Sequence, residues 1–276
     1  MKVLGIVGSP RRSRGITYRV VSAILAEANR QGADTEILYL VDESPQYCIH
    51  CGHSCFQDGR CIQEEAATAR SRRIDGADAL VLGAPVYCWQ PNGLTAALLD
   101  KHRMATGPWN RGMDNGKAAV GIAVAGGTGT GVFNALQSIY SWMCLWKFRA
   151  LEPLPVVRFN LERMLARAPA VGRELARSKP RPYRSAADLM ASYDALPYMG
   201  FSHVDEFRWL AEEAEATLRE IGFDGSALDE MSGLIESSRR AGRRSDTTKQ
   251  ARFAVEAYET AHRLWAESGE GGSRKP

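Results

Sequence analysis

The opening run Met1-Lys-Val-Leu-Gly-Ile-Val-Gly8 is an apolar stretch of strand length that gives way to a helical pattern, and the same exchange repeats through residue 160. Such alternation is the signature of a parallel sheet wrapped by helices, because each buried strand needs cover on both faces. Residues 2–8 read as the first strand. Ile16 to Gln31 reads as the first helix, with Val20, Val21, Ile24, Leu25 and Ala28 at helical spacing and Gly32 as its stop. Asp34–Leu40 is the second strand; a cysteine-bearing loop over 47–62 follows, then a short helix near Gln63–Arg73. Asp78–Ala84 is a buried third strand that Pro85 ends. A helix over Gly93–Arg103, a strand over Lys117–Ala125, a helix from Val132 to Phe148 and a strand within Pro153–Phe159 complete the pattern. These strands fit an open, doubly wound, five-stranded parallel α/β sheet of order 2-1-3-4-5, which binds ligands beyond the carboxyl ends of its strands. The loops after the first four strands then share one rim.

Length and charge limit the alternatives. A chain of 276 residues can bury one full core and add a smaller unit. With 35 basic and 32 acidic residues, the net charge of +3 gives no strong pull toward nucleic acid. The longest apolar runs are too short to span a bilayer, so no membrane partner is expected. The N-terminus reads as a strand with no cleavage site behind it, and Arg11 and Arg12 follow the apolar run instead of preceding it as an export signal would. A cytoplasmic location is expected, where disulfides are rare.

The loop after the first strand, Gly8-Ser9-Pro10-Arg11-Arg12-Ser13-Arg14-Gly15-Ile16-Thr17, offers hydroxyls, arginines and backbone amides at a helix N-terminus. That combination holds a phosphate, and without G-x-G-x-x-G spacing it favours a mononucleotide. An ordinary turn capped by Ser13 is the alternative. On the same rim, Tyr87 and Trp89 after the third strand present flat apolar faces. The glycine turn Gly126–Gly131 after the fourth lets backbone approach a ligand edge, which together makes a slot for a planar ring.

Cys48, Cys51, Cys55 and Cys61 follow a C-x2-C-x3-C-x5-C spacing. Four thiolates within reach of one point suit a metal or an iron–sulfur cluster better than disulfides. His50 and His53 lie inside the motif, so a structural zinc site competes, and unligated thiols are a third possibility. Cys144 sits in an apolar helical stretch as a core thiol, whereas Cys88 would stand near a ligand on the rim.

Several of these segments carry a family resemblance. Gly8-Ser9-Pro10-Arg11, the turn Ala84-Pro85-Val86-Tyr87, the segment Leu99-Asp100-Lys101 and the turn at Gly126 and Gly127 resemble the NAD(P)H-dependent FMN reductase group of flavodoxin-like proteins. With the four-cysteine loop, the chain more narrowly resembles the iron–sulfur flavoproteins of that group. The likeness covers residues 1–160. It implies FMN bound by Ser9, Arg11, Ser13, Gly15, Thr17, Pro85, Val86, Tyr87, Trp89, Gly126, Gly127, Thr128 and Gly129, and a 4Fe-4S cluster on Cys48, Cys51, Cys55 and Cys61. It also implies a homodimer or homotetramer with the cofactors of adjoining subunits close together. The donor would be NAD(P)H or ferredoxin, a small molecule or a protein, and the acceptor is not specified. No catalytic residue is assigned. The chain departs from the group in having Gly52, His53 and Ser54, three residues instead of two, between the second and third cysteines. Two other functions fit the same residues: a plain NAD(P)H-dependent flavin or quinone reductase, and a non-catalytic electron carrier or redox sensor.

Residues 161–276 are expected to form a mainly helical extension to the FMN-binding unit 1–160. Leu161 to Tyr198 is arginine-rich and broken by prolines, with Lys179-Pro-Arg-Pro-Tyr-Arg184 irregular. Helices follow over His203–Ile221, from a cap at Ser226 and Asp229, and over Asp246–Glu267, the last with a stripe of Ala251, Val255, Tyr258, His262 and Trp265. Arg239, Arg240, Arg243 and Arg244 read as a solvated linker, His262 as a satisfied core histidine, and the tail from Ser268 as disordered.

Overall fold

The computed structural model of the chain describes residues 1–52, 55, 60–102 and 115–269. Among these residues one sheet gathers β1 (Lys2–Val7), β2 (Asp34–Tyr39), β3 (Ala79–Tyr87), β4 (Gln90–Pro91), β5 (Ala118–Ala125), β6 (Arg149–Ala150) and β7 (Leu154–Val157). The five long-range parallel positions run β2-β1-β3-β5 and then an outer edge, which is the doubly wound, flavodoxin-like order expected. The strand count differs in two places. The outer edge is split, with β6 opposite Ala118–Ala119 and β7 opposite Ile122–Ala125, because Pro153 between them brings no N–H to the ladder. The third strand also runs through Pro85, which pairs in register with Val124, and turns back as the short antiparallel β4. Proline is compatible with extended backbone; what ends β3 is the hairpin.

Alternate side chains of each central strand enter different halves of the core, as pleating requires. Val3 and Val7 of β1 face α1 (Ile16–Arg30), while Leu4 and Ile6 face the opposite layer. A helical turn α2 (Leu40–Glu43) follows β2, then α3 (Glu65–Gly76), α4 (Gly93–Lys101) after β4, and α5 (Val132–Leu145) after β5. Arg103, the expected end of α4, lies outside the described residues.

C-terminal to the sheet, α6 (Leu161–Arg177) packs beside α1, and α7 (Ala186–Asp194), α8 (His203–Glu220), α9 (Ser226–Arg243) and α10 (Thr247–Glu267) join the other face. The arginine-rich stretch is thus partly helical. α6 carries Pro169 inside it because Leu161, Ala168, Val171 and Leu175 bury one face against α1. At their crossing a Cβ on Gly172 would stand 2.4 Å from the Ile24 carbonyl oxygen, so only glycine lets the two backbones come this close.

Local details depart from the sequence expectations. α9 is capped by Gly225, at φ 127°, with no side-chain cap from Ser226, whereas α8 opens with a Ser202–Asp205 capping box. Arg239, Arg240 and Arg243 lie within α9 instead of a linker, and Arg239 pairs with Glu212 at 2.9 Å. On α10 the buried stripe is Ala254, Ala257, Ala261, Leu264 and Trp265, and Val255 is exposed. Cys144 is half-buried, and burial pushes its thiol up.

Candidate functional site at the carboxyl rim of the sheet

The loop from β1 to α1 carries a short 3-10 turn, Arg12–Arg14, tied to α2, the helical turn after β2, by an ion pair between Arg12 and Asp42. α1 then begins with Gly15 as its N-cap. It has no side-chain cap and no acidic residue in its first turn, so the positive end of the helix dipole has no counter-charge of its own. Ser9 is buried and its Oγ accepts from the Arg11 N–H at 3.3 Å; Arg11 and Ser13 are exposed. Ser13 does not cap the helix. Thr17 is buried with its methyl over Gly83, which gives it a packing role between α1 and β3.

Beyond buried Pro85 and half-buried Val86, the β3–β4 hairpin turns at Cys88 and Trp89, with φ of 49° and 66°. Two consecutive left-handed residues match a type I′ turn, and for non-glycine residues that conformation costs on the order of 1–3 kcal/mol each. Contacts hold the strained turn in place. The Trp89 carbonyl accepts from Asn134 Nδ2 at 2.9 Å, and the Trp89 ring packs edge-on to His203 at 4.9 Å. Tyr87, Cys88 and Trp89 are exposed at the rim.

The third loop, Gly126–Gly131, exposes Gly126, Gly127 and Thr128, while Gly129 is buried and its N–H donates to the Gly126 carbonyl at 3.0 Å. Gly131 has φ 85°, and a Cβ there would lie 2.4 Å from Trp89 Cα, so this loop and the hairpin touch backbone to backbone. Asn92 makes the corresponding link on the other side: its Nδ2 donates to the Gly8 carbonyl at 2.8 Å, while its Oδ1 accepts from Thr95 at 2.7 Å. Hence the three loops chosen from sequence meet on one rim, fastened by Asn92 and Asn134. Neither asparagine stands out in the sequence, because each is a single polar residue whose partner is a distant carbonyl.

The four cysteines line one small cavity of about 30 Å³ together with Ile49, Gln63, Thr68 and Lys101. Among the described residues, which include all six cysteines, none is in a disulfide. The loop is fastened at both ends: the Cys48 N–H donates to Asp100 at 2.8 Å and the Cys61 N–H to Thr68 Oγ1 at 3.0 Å. Beneath it, buried Lys101 donates to Gln63 Oε1 at 2.9 Å and pairs with Glu64 at 2.9 Å; Glu64 also pairs with Arg70. Burial pushes the Glu64 carboxyl up, but the hydrogen bonds from Lys101 and Arg70 outweigh it and hold it below the usual range. Exposed His50 is not among the residues lining the cavity, and His53 lies outside the described residues. Among the described residues no three His, Cys, Asp or Glu side chains converge closely enough to hold a single metal ion.

A parallel sheet of this order, with three such loops on its carboxyl rim, defines a flavodoxin-like protein. Residues 1–152 match the NADPH-dependent FMN reductase family, and the chain belongs to it; the protein is a flavin-dependent oxidoreductase. An iron-sulfur flavoprotein of Methanocaldococcus jannaschii is 33% identical over 146 residues, covering 52% of this chain and 72% of the relative. One from Methanosarcina thermophila is 27% identical over 143 residues, covering 52% and 73%. Among solved structures, the azoreductase of Bacillus anthracis aligns over 64% of this chain and 98% of its own, at 18% identity and a TM-score of 0.47. Among the described residues no helix is long and apolar enough to cross a membrane.

Proposed function

We propose that this oxidoreductase is an iron–sulfur flavoprotein that passes electrons between FMN and a 4Fe-4S cluster. The observation that carries the reading is the convergence of Cys48, Cys51, Cys55 and Cys61 on a single cavity, all four as thiols. Four cysteines are the number of thiolate ligands that a 4Fe-4S cluster takes, and buried Lys101 places a cation beside them. FMN supplies two-electron hydride chemistry and a cluster supplies one-electron transfer, so the pair links the two kinds of traffic.

In this reading the chain's own residues bind and orient. The uncapped start of α1, with Ser9, Arg11, Ser13 and Gly15, would hold the FMN phosphate, while Pro85, Val86, Tyr87, Trp89 and Gly126–Gly129 would flank the ring. Thr17, buried against Gly83, would fix the first turn of α1 on β3 beside the phosphate. Residues 1–160 form the FMN-binding unit and 161–276 its helical extension. The protein works in the cytoplasm as a homodimer or homotetramer, with NAD(P)H or ferredoxin as donor.

Anaerobic purification with flavin, iron and sulfide quantified tests this directly. The expected sample is brown, with flavin and cluster together. Flavin without iron or sulfide, even after anaerobic reconstitution, would overturn the cluster and leave a plain flavin or quinone reductase. Turnover with NAD(P)H identifies that donor.

A further inference from the structure

Glu206 lies in the first turn of α8, outside the stretch that matches the family, and is 2% exposed. Its Oε2 accepts from the Gly131 N–H at 2.9 Å and its Oε1 from the Phe133 N–H at 2.8 Å. Those are the orphan amides at the start of α5, directly after the glycine loop, and the chain meets them with a carboxylate from a remote helix. A second grip comes from α10. The Thr128 carbonyl accepts from the Tyr258 hydroxyl at 3.2 Å and lies 3.2 Å from His262 Nε2. His262 also meets Arg158 through Nδ1, and burial, reinforced by that guanidinium, pushes the imidazole down to about 4. It is therefore neutral, accepting at Nδ1 and donating from Nε2. A third contact comes from His203 and Phe207 of α8, whose rings pack at 4.9 and 6.3 Å from Trp89.

We propose that α8 and α10 position the Gly126–Gly131 loop for the flavin, with Glu206 as the principal positioning residue and Tyr258 and His262 as its seconds. This rests on the FMN reading above. Three glycines at positive φ, Gly127, Gly129 and Gly131, give the loop many conformations and no stiffness of its own. Holding it at the Thr128 carbonyl and again at the Gly131 and Phe133 amides selects one of them. The ordering entropy is then met in folding instead of in binding, so the preformed loop takes the ring more tightly.

The test measures the FMN dissociation constant by flavin fluorescence and the visible circular dichroism of the bound flavin, for the full-length wild type and three variants. Glu206→Gln keeps the size but sets an amide N–H against a backbone donor; it is expected to weaken FMN binding by roughly tenfold, about one charge-assisted hydrogen bond, and to change the dichroism. Tyr258→Phe is expected to weaken binding by about threefold, in line with one neutral hydrogen bond. Gly172→Ala, which loosens the α1–α6 crossing far from the rim, should lower the Tm and leave both flavin readouts unchanged. If Glu206→Gln lowers the Tm yet binds FMN with wild-type affinity and dichroism, Glu206 is only a helix cap and the inference fails. Should Glu206→Gln not fold, wild-type readouts in Tyr258→Phe overturn it. A wild type that binds no FMN overturns the flavin reading itself, an outcome separate from unchanged variants of a wild type that does bind.

Discussion

Asp75, at the end of α3, shows how one half-buried group sets a pH dependence. Burial pushes its carboxyl from 3.8 up to about 6, the Lys117 ammonium pulling back only in part, and His102 Nε2 stands 3.6 Å away. A folded-state pKa raised in this way means that the neutral acid suits the folded chain. Its contribution is complete below the ordinary carboxyl value and is lost as pH rises through about 6. Asp75→Asn, neutral at every pH, should therefore have a higher Tm than wild type above pH 7, and the gap should close toward pH 4. A gap independent of pH would contradict this. At the cysteine cavity, Cys61→Ser should strip iron and sulfide from the purified protein while flavin stoichiometry holds; iron analysis beside the flavin spectrum reads both. The quartet is legible in sequence because ligand spacing is local. Glu206, Asn92 and Lys101 are not, since each earns its place by a partner far along the chain, and a buried carboxylate in a helix pattern looks like any surface glutamate.

Between elements, the crossing of α1 and α6 depends on Gly172. Gly172→Ala gains helix propensity of up to about 1 kcal/mol, but its methyl would meet a backbone oxygen that cannot turn aside. Overpacking of this kind costs about 1–3 kcal/mol, so a net loss is expected in chemical denaturation, and a gain would show that the helices can separate freely. The β-strand and helix periodicities carried most of the sheet and its order. Two elements are not legible in the sequence. The hairpin at Cys88 and Trp89 lacks the Asn-Gly or Gly-Gly signal of its turn, because tertiary contacts to Asn134 and His203 offset the strain that glycine would avoid. α6 was obscured by Pro169, a helix breaker by propensity, which burial against α1 overrides.

Across the whole molecule, one hydrophobic cluster draws Leu4, Ile6 and Leu82 from the sheet and Phe133 from α5 together with Trp209, Leu210, Leu228 and Trp265 from the C-terminal helices. Sharing a core couples the melting of its contributors, so far-UV circular dichroism and tryptophan fluorescence should report one coincident unfolding transition. Two separated transitions would show that residues 161–276 hold together on their own.

Because β1 lies between β2 and β3, the stretch bearing the four cysteines leaves one flank of β1 and re-enters on the other. Its cavity is closed by Thr68 of α3 and by Lys101 of α4, both later in the chain than Cys61. During synthesis, then, the four thiols exist before the walls that gather them. If the proposed cluster occupies that cavity, it can be enclosed only once Lys101 has been made and α4 has folded beside the loop, so its assembly would follow the folding of that helix and not the synthesis of the cysteines.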